Sequence, residues 1–452
     1  MKKGNSRRKF ISDLTKGAIG AMGVPVLLAK NSGKSQFQNS DDPPDLADIA
    51  PDGAILRAGL VGCGGRGTGA AVDFIDAGPN LEVVTLGDVF QGQLNRCRDT
   101  LRAARGVEIP DENCFVGFDS YEKVLECDID VILLATPPNY RPEQVKASVE
   151  AGKHIFQEKP IAVDPVGARM VWDATQKAKE KKLCMVSGTA RRYQKDYQEI
   201  QRRVARGEIG DIVSANMVRN GGASWWVERQ PGWSDAEYML KNWANFSQLS
   251  GDHIVEMFVH EIDIMHWHFQ KTPLKAIGYG GRQRRQSGNQ YDFFCIEYVF
   301  EDGRRANCSS RQINGCDNVS DQIITGTEGY ADAVGTIYNK RGEIVWEYPY
   351  PAETDEDQRW RVNNRFKQEH IEFVRAIRTG NYLNDSEDQV NSTRMAIMGR
   401  MAAYTGRDVT WEEVLNSDLQ LGPQVTGFGP VTGMSEEQPV IGEYVQPVTR
   451  TA

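Results

Sequence analysis

The sequence predicts an α/β chain, and three observations carry that expectation. Short apolar runs of strand length alternate with helical patterns from Ile55 to Gly188, the order that builds a parallel sheet covered by helices. The first run, Ile55–Val61, feeds straight into a glycine-rich turn and then an alanine-rich helical pattern. Later runs close on polar residues, and sheets of this kind bind ligands outside the carboxyl ends of their strands.

The turn reads Gly62-Cys63-Gly64-Gly65-Arg66-Gly67, a complete GxGxxG between a strand and a helix. In that context Gly62 permits the tight turn, Gly64 lets backbone approach a pyrophosphate, and Gly67 lets helix and strand pack closely. The helix N-terminus presents N–H groups to the phosphates. A second strand, LEVVTLGD, ends at Asp88, 21 positions beyond Gly67. An acidic residue there accepts hydrogen bonds from the adenosine ribose and repels a 2′-phosphate, so NAD is expected rather than NADP. Arg66 and Arg96 are the residues that could oppose this by accommodating a phosphate.

Asp128–Thr136 is the next strand and closes on Thr136-Pro137-Pro138-Asn139. A helix over Glu143–Ala151 stops at Gly152, a C-cap residue. The strand Lys153–Gln157 runs into Glu158-Lys159-Pro160, and a helix over Pro165–Glu180 with a strand over Leu183–Gly188 completes the sheet. Asp88, Thr136 and Lys159 all fall at strand carboxyl ends.

The combination of GCGGRG, GDVF, ATPPN, AGKHIFQEKP and HEIDIMHW resembles the Gfo/Idh/MocA oxidoreductases, from about Ile55 to Leu421. The resemblance implies a Rossmann domain over 55–188, then an α+β domain over 189–452 with an open, mostly antiparallel sheet that often serves oligomer contacts. A homo-oligomer is therefore expected. Strand-like runs at Ala276–Gly280, Phe293–Phe300, Ala306–Gln312 and Glu343–Glu347 agree, as do helical patterns at Arg365–Arg378 and Ser392–Thr405. The resemblance also implies a cofactor site drawn from Gly62, Gly64, Gly65, Arg66, Gly67, Asp88, Thr136, Pro137, Asn139, Glu158 and Lys159.

Lys159 resembles the lysine of the family's EKP motif, which lies near the nicotinamide and hydrogen-bonds the reacting oxygen. A buried ammonium stabilises developing alkoxide charge. His253, Glu256, His260, Asp263 and Trp267 recur at spacings of three and four, which would place them on one helix face. In the family an acidic residue, usually Asp, four before a histidine forms the catalytic pair. Glu256 and His260 occupy those positions here, with one extra methylene in the acid. His260 would act as general base or acid at the substrate hydroxyl. The cluster offers imidazole and carboxylate but lacks HExxH spacing, so no metal is expected.

Arg141 replaces a histidine common after the family's TP motif, and is read as a ligand for an anionic or polyhydroxy substrate, or for a phosphate. Arg192 and Tyr193 open the second domain and are expected in the substrate cleft beside His253 and His260, though Tyr193 fits the core equally well. Gly221–Phe246 contains Trp225, Trp226, Trp233 and Trp243. Sugar rings stack on aromatic faces, which makes Trp225 and Trp226 candidate walls of a carbohydrate pocket. The same residues would equally anchor a compact loop at a domain interface.

Residues 1–30 hold Ser6-Arg7-Arg8-Lys9-Phe10-Ile11 before a modestly apolar stretch, an order that resembles a twin-arginine export signal. A polar, proline-containing linker over 31–54 follows. The expectation is export to the periplasm, with no stable membrane span after processing. A net charge of −9 and pI near 5.4 argue against a nucleic-acid partner, which would demand basic patches. Eight scattered cysteines without CxxC spacing read as free thiols. Outside the cytoplasm a released NADH has no recycling pool, so the cofactor is expected to be held tightly. The expected activity is NAD(P)-dependent oxidation or reduction at a sugar hydroxyl. Two alternatives stand beside it: a glycosidase or epimerase using transient sugar oxidation, and a non-catalytic nucleotide- or sugar-binding protein.

Overall fold

A computed structural model describes residues 46–350 and 363–434. The region assigned to the export signal, and the linker as far as residue 45, lie outside the described residues.

Six strands form the first sheet: β1 (Leu56–Val61), β2 (Leu81–Asp88), β3 (Cys114–Val116), β4 (Val131–Leu134), β5 (His154–Gln157) and β6 (Met185–Ser187). They lie in the order β3-β2-β1-β4-β5-β6, all parallel. Every residue of β4, Val-Ile-Leu-Leu, is buried, as a parallel strand covered on both faces requires. The order reverses between β1 and β4, where the glycine-rich turn sits, and such a switch point opens a crevice at the strand ends.

The second sheet has nine strands. They are β7 (Ile212–Gly221), β8 (Lys275–Gly281), β9 (Phe293–Val299), β10 (Arg305–Gln312), β11 (Val319–Gly326), β12 (Gly329–Asp332), β13 (Thr336–Asn339), β14 (Ile344–Glu347) and β15 (Val409–Thr410). Their order is β14-β13-β12-β11-β7-β10-β9-β8-β15, antiparallel except for the β7–β10 pair. Burial alternates along β9, Phe-Phe-Cys-Ile-Glu-Tyr-Val, so one face packs inward while the other stays partly open. The strands over 212–221 and 319–339 carry too many polar residues to stand out in the sequence.

Two connections matter for the site. Helix Arg365–Thr379 returns to the first sheet: Ile371, Phe373 and Val374 share a core with Leu60, Phe74 and Phe156, and the His370 ring meets Phe156 and Phe74. The end of the expected linker is also docked there. Ala50 is buried and donates to the Ala77 carbonyl at 2.8 Å, and Arg378 donates to the carbonyls of Pro51 and Ala54.

The tryptophan-rich segment forms a small core of its own. Tyr238, Met239, Leu240, Phe246 and Leu249 pack with Val425, against Trp226, Trp233 and Trp243 and against Val89, Phe90, Phe118 and Tyr140 of the nucleotide domain. Tyr140 donates its hydroxyl to the Val425 carbonyl at 2.6 Å, and Phe428 lies 5.6 Å from Phe90 and 5.4 Å from Phe118. Residues 421–434 thus cross the domain beside Asp88. All eight cysteines are free. Among the described residues no helix is long and apolar enough to cross a membrane.

Candidate active site

The glycine-rich turn is tight at both ends and open in the middle. Gly62 has φ +95°, and a Cβ there would lie 2.6 Å from the Ala135 carbonyl carbon. A Cβ on Gly67 would lie 1.8 Å from the Gly62 carbonyl oxygen, an impossible approach that enforces close helix–strand packing. Gly64 and Gly65 have nothing within 4 Å of an added Cβ. Helix Gly65–Ile75 begins without a side-chain cap, so its N-terminal amides are available to an anion.

Asp88 ends β2 beside this turn. Its carboxylate accepts from Cys63 N–H at 2.6 Å and Phe90 N–H at 2.8 Å. Burial pushes its pKa upward and these amides pull it back. Each oxygen keeps a lone pair for a hydroxyl donor. Gly62, Gly64, Gly65, Gly67 and Asp88 therefore fit a dinucleotide, with the amides on its phosphates and the carboxylate on a ribose.

Other expected cofactor residues are placed differently. The Arg66 side chain is held by Glu158, by Asp73 at 3.3 Å and by Glu369 at 3.3 Å, above the Phe366 ring. Three carboxylates occupy its guanidinium, so its main-chain amide, in the first turn of helix Gly65–Ile75, is what it can offer a cofactor. Glu158 is buried on Arg66, and its other oxygen accepts from Lys159 N–H at 3.2 Å. It buttresses the lysine from behind. Thr136 donates to Gln144 Oε1 at 2.6 Å, and Pro137 follows it, half-buried. The Asn139 amide is buried beside the Tyr140 hydroxyl, with neither polar atom in a well-formed hydrogen bond among the described residues, so a ligand could satisfy it.

Arg141 does not face a substrate. It is buried and donates to the Thr136 carbonyl at 2.6 Å and to the Pro160 carbonyl, and burial lowers its pKa to about 10. It clamps together the two loops that carry Thr136 and Lys159.

Lys159 follows β5, and its Nζ donates to Glu256 Oε1 at 3.0 Å and to the Glu256 carbonyl at 2.5 Å. Both side chains are 13% exposed. The expected single helix is broken: one helix spans His253–Glu256 and the next Val259–Phe269, with Met257 and Phe258 between them. The common face does not form, and Glu256 swings to Lys159 rather than pairing with His260. The His260 Nδ1 is buried without a partner among the described residues, which leaves Nε2 as the accessible nitrogen. Burial first, and then Lys159, Arg191, Arg219 and Arg365, hold the imidazole well below its usual pKa. It is a neutral base at neutral pH.

Three expected substrate ligands belong to the framework instead. His253 is 3% exposed, with Nε2 2.9 Å from Ser310 Oγ and Nδ1 3.3 Å from the Tyr291 carbonyl. Arg192 grips Asp263 through two bonds of 2.9 and 2.8 Å and reaches Asp388 at 2.7 Å. Tyr193 is buried and donates to Asp385 at 2.8 Å. All three are satisfied by elements distant in sequence. Trp226 turns into the small core against Tyr238. Trp225 stays half exposed, with Nε1 donating to the Lys241 carbonyl at 3.1 Å.

Four residues near His260 escaped the sequence reading: Arg191, Arg219, Glu261 and Arg365. Glu261 Oε1 accepts from Arg191 at 2.8 Å, Arg219 at 3.1 Å and Gln322 at 3.3 Å. Arg219 also reaches Met257 Sδ at 3.4 Å, and Arg365 donates to Gln194 at 2.9 Å. The one sequence signal was the acid Glu261 directly after His260 in a helix that is otherwise buried on nearly every side. Among the described residues no group of three or more His, Cys, Asp or Glu is arranged to hold a metal ion.

Two family models match, one described as "Oxidoreductase family, NAD-binding Rossmann fold" over residues 56–187 and one as the Gfo/Idh/MocA C-terminal domain over residues 197–332. Together they cover more than half of the chain. The scyllo-inositol 2-dehydrogenase (NAD(+)) of Bacillus subtilis (strain 168) is 23% identical over 329 residues, 72% of this chain and 87% of that one. The inositol 2-dehydrogenase of Salmonella typhimurium is 26% identical over 212 residues, 47% of this chain and 54% of that one. The 2,7-anhydro-N-acetylneuraminate hydratase of Escherichia coli (strain K12) is 25% identical over 181 residues, 39% and 44% of the two chains. The chain spans about half the length of most curated relatives it matches, the Bacillus enzyme excepted. Among solved structures, scyllo-inositol dehydrogenase from Lactobacillus casei with bound NAD(H) and scyllo-inositol superposes with TM-score 0.59 at 22% identity, covering 79% of this chain and 99% of that one. Myo-inositol 2-dehydrogenase from Lactobacillus plantarum gives TM-score 0.59 at 19% identity over the same shares. At these identities the two structures share the fold.

Proposed function

This chain belongs to the Gfo/Idh/MocA oxidoreductase family, and on that premise we propose that it is an NAD-dependent oxidoreductase acting on a hydroxyl of a sugar or sugar derivative. One observation carries the reading: Lys159 and His260, a cation and a neutral base, stand together at the carboxyl edge of the dinucleotide sheet. Inositol dehydrogenases among the relatives support a polyhydroxylated substrate.

Gly62, Gly64, Gly65, Gly67 and Asp88 would hold the cofactor, which when bound accepts or gives a hydride. The residues of the chain supply the rest. The accessible His260 Nε2 takes the proton of the substrate hydroxyl. Lys159, oriented by the carboxylate and carbonyl of Glu256, donates to the same oxygen and stabilises its growing negative charge. Asp88 favours a free ribose 2′-hydroxyl, which selects NAD over NADP.

The proposal extends to a cofactor kept through the catalytic cycle. Residues 421–434 and the tryptophan segment pack on Val89 and Phe90, directly after Asp88, where they obstruct departure from the adenosine side. Export through the twin-arginine route, which the N-terminal motif supports, would make such retention necessary. Redox-neutral chemistry by transient oxidation, including glycoside cleavage, is the second reading, and a relative named as a hydratase favours it because hydration has no net redox change.

The protein purified without added nucleotide is incubated with labelled polyols and disaccharides. Keto product equal to the bound NAD marks a dehydrogenase, and catalytic monosaccharide release marks the redox-neutral reading. Protein that neither carries nor binds NAD would refute both.

A further inference from the structure

We infer that the substrate carries an oxyanion, a carboxylate or a phosphate, on its polyhydroxylated frame, and that Arg365, Arg219 and Arg191 receive it. This rests on the oxidoreductase reading above and names the substrate class of the same site.

Among the described residues, the cations around His260 outnumber the carboxylates that form ion pairs with them. Lys159, Arg191, Arg219 and Arg365 are cations that act on its imidazole. Two carboxylates form ion pairs with them among the described residues: Glu256, on Lys159, and Glu261, shared by Arg191 and Arg219; Glu369 and Asp196 act on Arg365, and Asp263 on Arg191, without pairing. Arg365 meets no carboxylate there. Its contacts are the neutral Gln194 oxygen and the Phe366 ring, and its Nε is buried without a partner. One terminal nitrogen of Arg191, a residue 8% exposed, is likewise buried and unpartnered. Buried guanidinium nitrogens without acceptors are costly, and a planar, forked donor suits a carboxylate or phosphate.

The neighbouring acids bond to other partners. Asp196 accepts from Tyr197 N–H, Gln194 and Tyr350, and burial raises its pKa to about 6. Glu369 is engaged by Arg66, and Asp263 by Arg192. The cationic groups lie on elements far apart in the chain, on the short 3-10 turn Ala190–Tyr193, on β7 and at the start of helix Arg365–Thr379, and converge only in the fold. A bound anion would also ease the like-charge pressure on His260 and strengthen it as a base. Substrate recognition and proton transfer would then be coupled.

The test is binding to the full-length, NAD-loaded protein, read as protection against thermal unfolding by D-glucuronate, D-glucose 6-phosphate, D-glucose and myo-inositol. At least one anion should bind about tenfold or more tightly than both neutral compounds, and the stronger arm distinguishes carboxylate from phosphate. Arg365→Gln should abolish that preference, and Arg365→Lys, which keeps the charge, should retain most of it. Equal or tighter binding of the neutral compounds, no protection by either anion, or an unchanged preference in Arg365→Gln would overturn the inference. Nicotinamide reduction is followed in the same samples. Anion protection without any reduction would sink the oxidoreductase reading and leave the anion site standing, whereas reduction by neutral sugars alone does the reverse.

Discussion

Lys159 is held by Glu256 twice, through the side-chain carboxylate at 3.0 Å and the main-chain carbonyl at 2.5 Å. The carbonyl is free to accept because the helix stops at Glu256. The break that separates Glu256 from His260 is therefore what orients the lysine. Lys159→Ala should lower turnover about 10²- to 10⁴-fold while the purified protein keeps its NAD. Glu256→Gln, which retains the carbonyl contact, should lose less. Steady-state rates and cofactor content measured side by side decide this, and unchanged turnover in Lys159→Ala would remove the lysine from the mechanism.

His260 gives a pH signature with a definite sign. Burial and four cations disfavour its protonated form, so the base stays active to lower pH than an ordinary histidine would. The acid limb of kcat/KM, which reports the free enzyme, should lie below the usual histidine range. Removing a cation with Arg365→Gln should move that limb upward. In wild type the limb of kcat should sit above that of kcat/KM, because a bound anion favours protonation. A kcat/KM limb at the ordinary histidine value contradicts the assignment.

The glycines separate folding from ligand binding. Gly67→Ala places a methyl 1.8 Å from the Gly62 oxygen and should cost most of the stability or prevent folding. Gly64→Ala meets nothing in the protein itself, so its unfolding midpoint without nucleotide should match wild type while NAD affinity falls about tenfold or more, through blocked pyrophosphate approach. Equal NAD affinity in Gly64→Ala would place the phosphates elsewhere.

Arg192→Gln leaves Asp263 buried with its strongest donor gone. A loss of about 3–5 kcal/mol in unfolding free energy is expected, read from urea denaturation. The KM of the surviving folded protein should stay near wild type. A large rise in KM with full stability would return Arg192 to the substrate cleft.

The strap beside Asp88 has its own test. Val425 is 1% exposed, and Val425→Asp would bury a carboxylate in the small apolar core. Bound NAD should then be lost during gel filtration, with dissociation faster by about tenfold or more, while the protein stays folded by circular dichroism. Retention equal to wild type would show that these residues do not confine the nucleotide.

What could be read from the sequence was local. The turn from Gly62 to Gly67, the strand ending at Asp88 and Lys159 after β5 depend on neighbours a few residues away, and their patterns survive folding. His253, Arg192 and Tyr193 were misplaced because their partners, Ser310, Asp263 and Asp385, are 57 to 192 positions distant. The helix over 253–267 fits the helical period throughout, yet it breaks at Met257–Phe258 with no proline or glycine to announce it. Arg219 and Arg365 carry no motif at all, and only the fold brings them to His260.

Helix Arg365–Thr379 has a consequence for the order of synthesis. With only the first 188 residues emerged from a ribosome, Phe74 and Phe156 would lack Phe373, Val374 and the His370 ring that cover them in the finished sheet. An apolar face of that size stays open to misassembly until that helix arrives. The core beneath the dinucleotide site is thus completed by a helix made only after β7–β14 of the second sheet, so a stable nucleotide domain needs chain well beyond β6. A fragment ending after β6 should accumulate as an aggregation-prone chain, and a cofactor loaded early would find only half a house to enter.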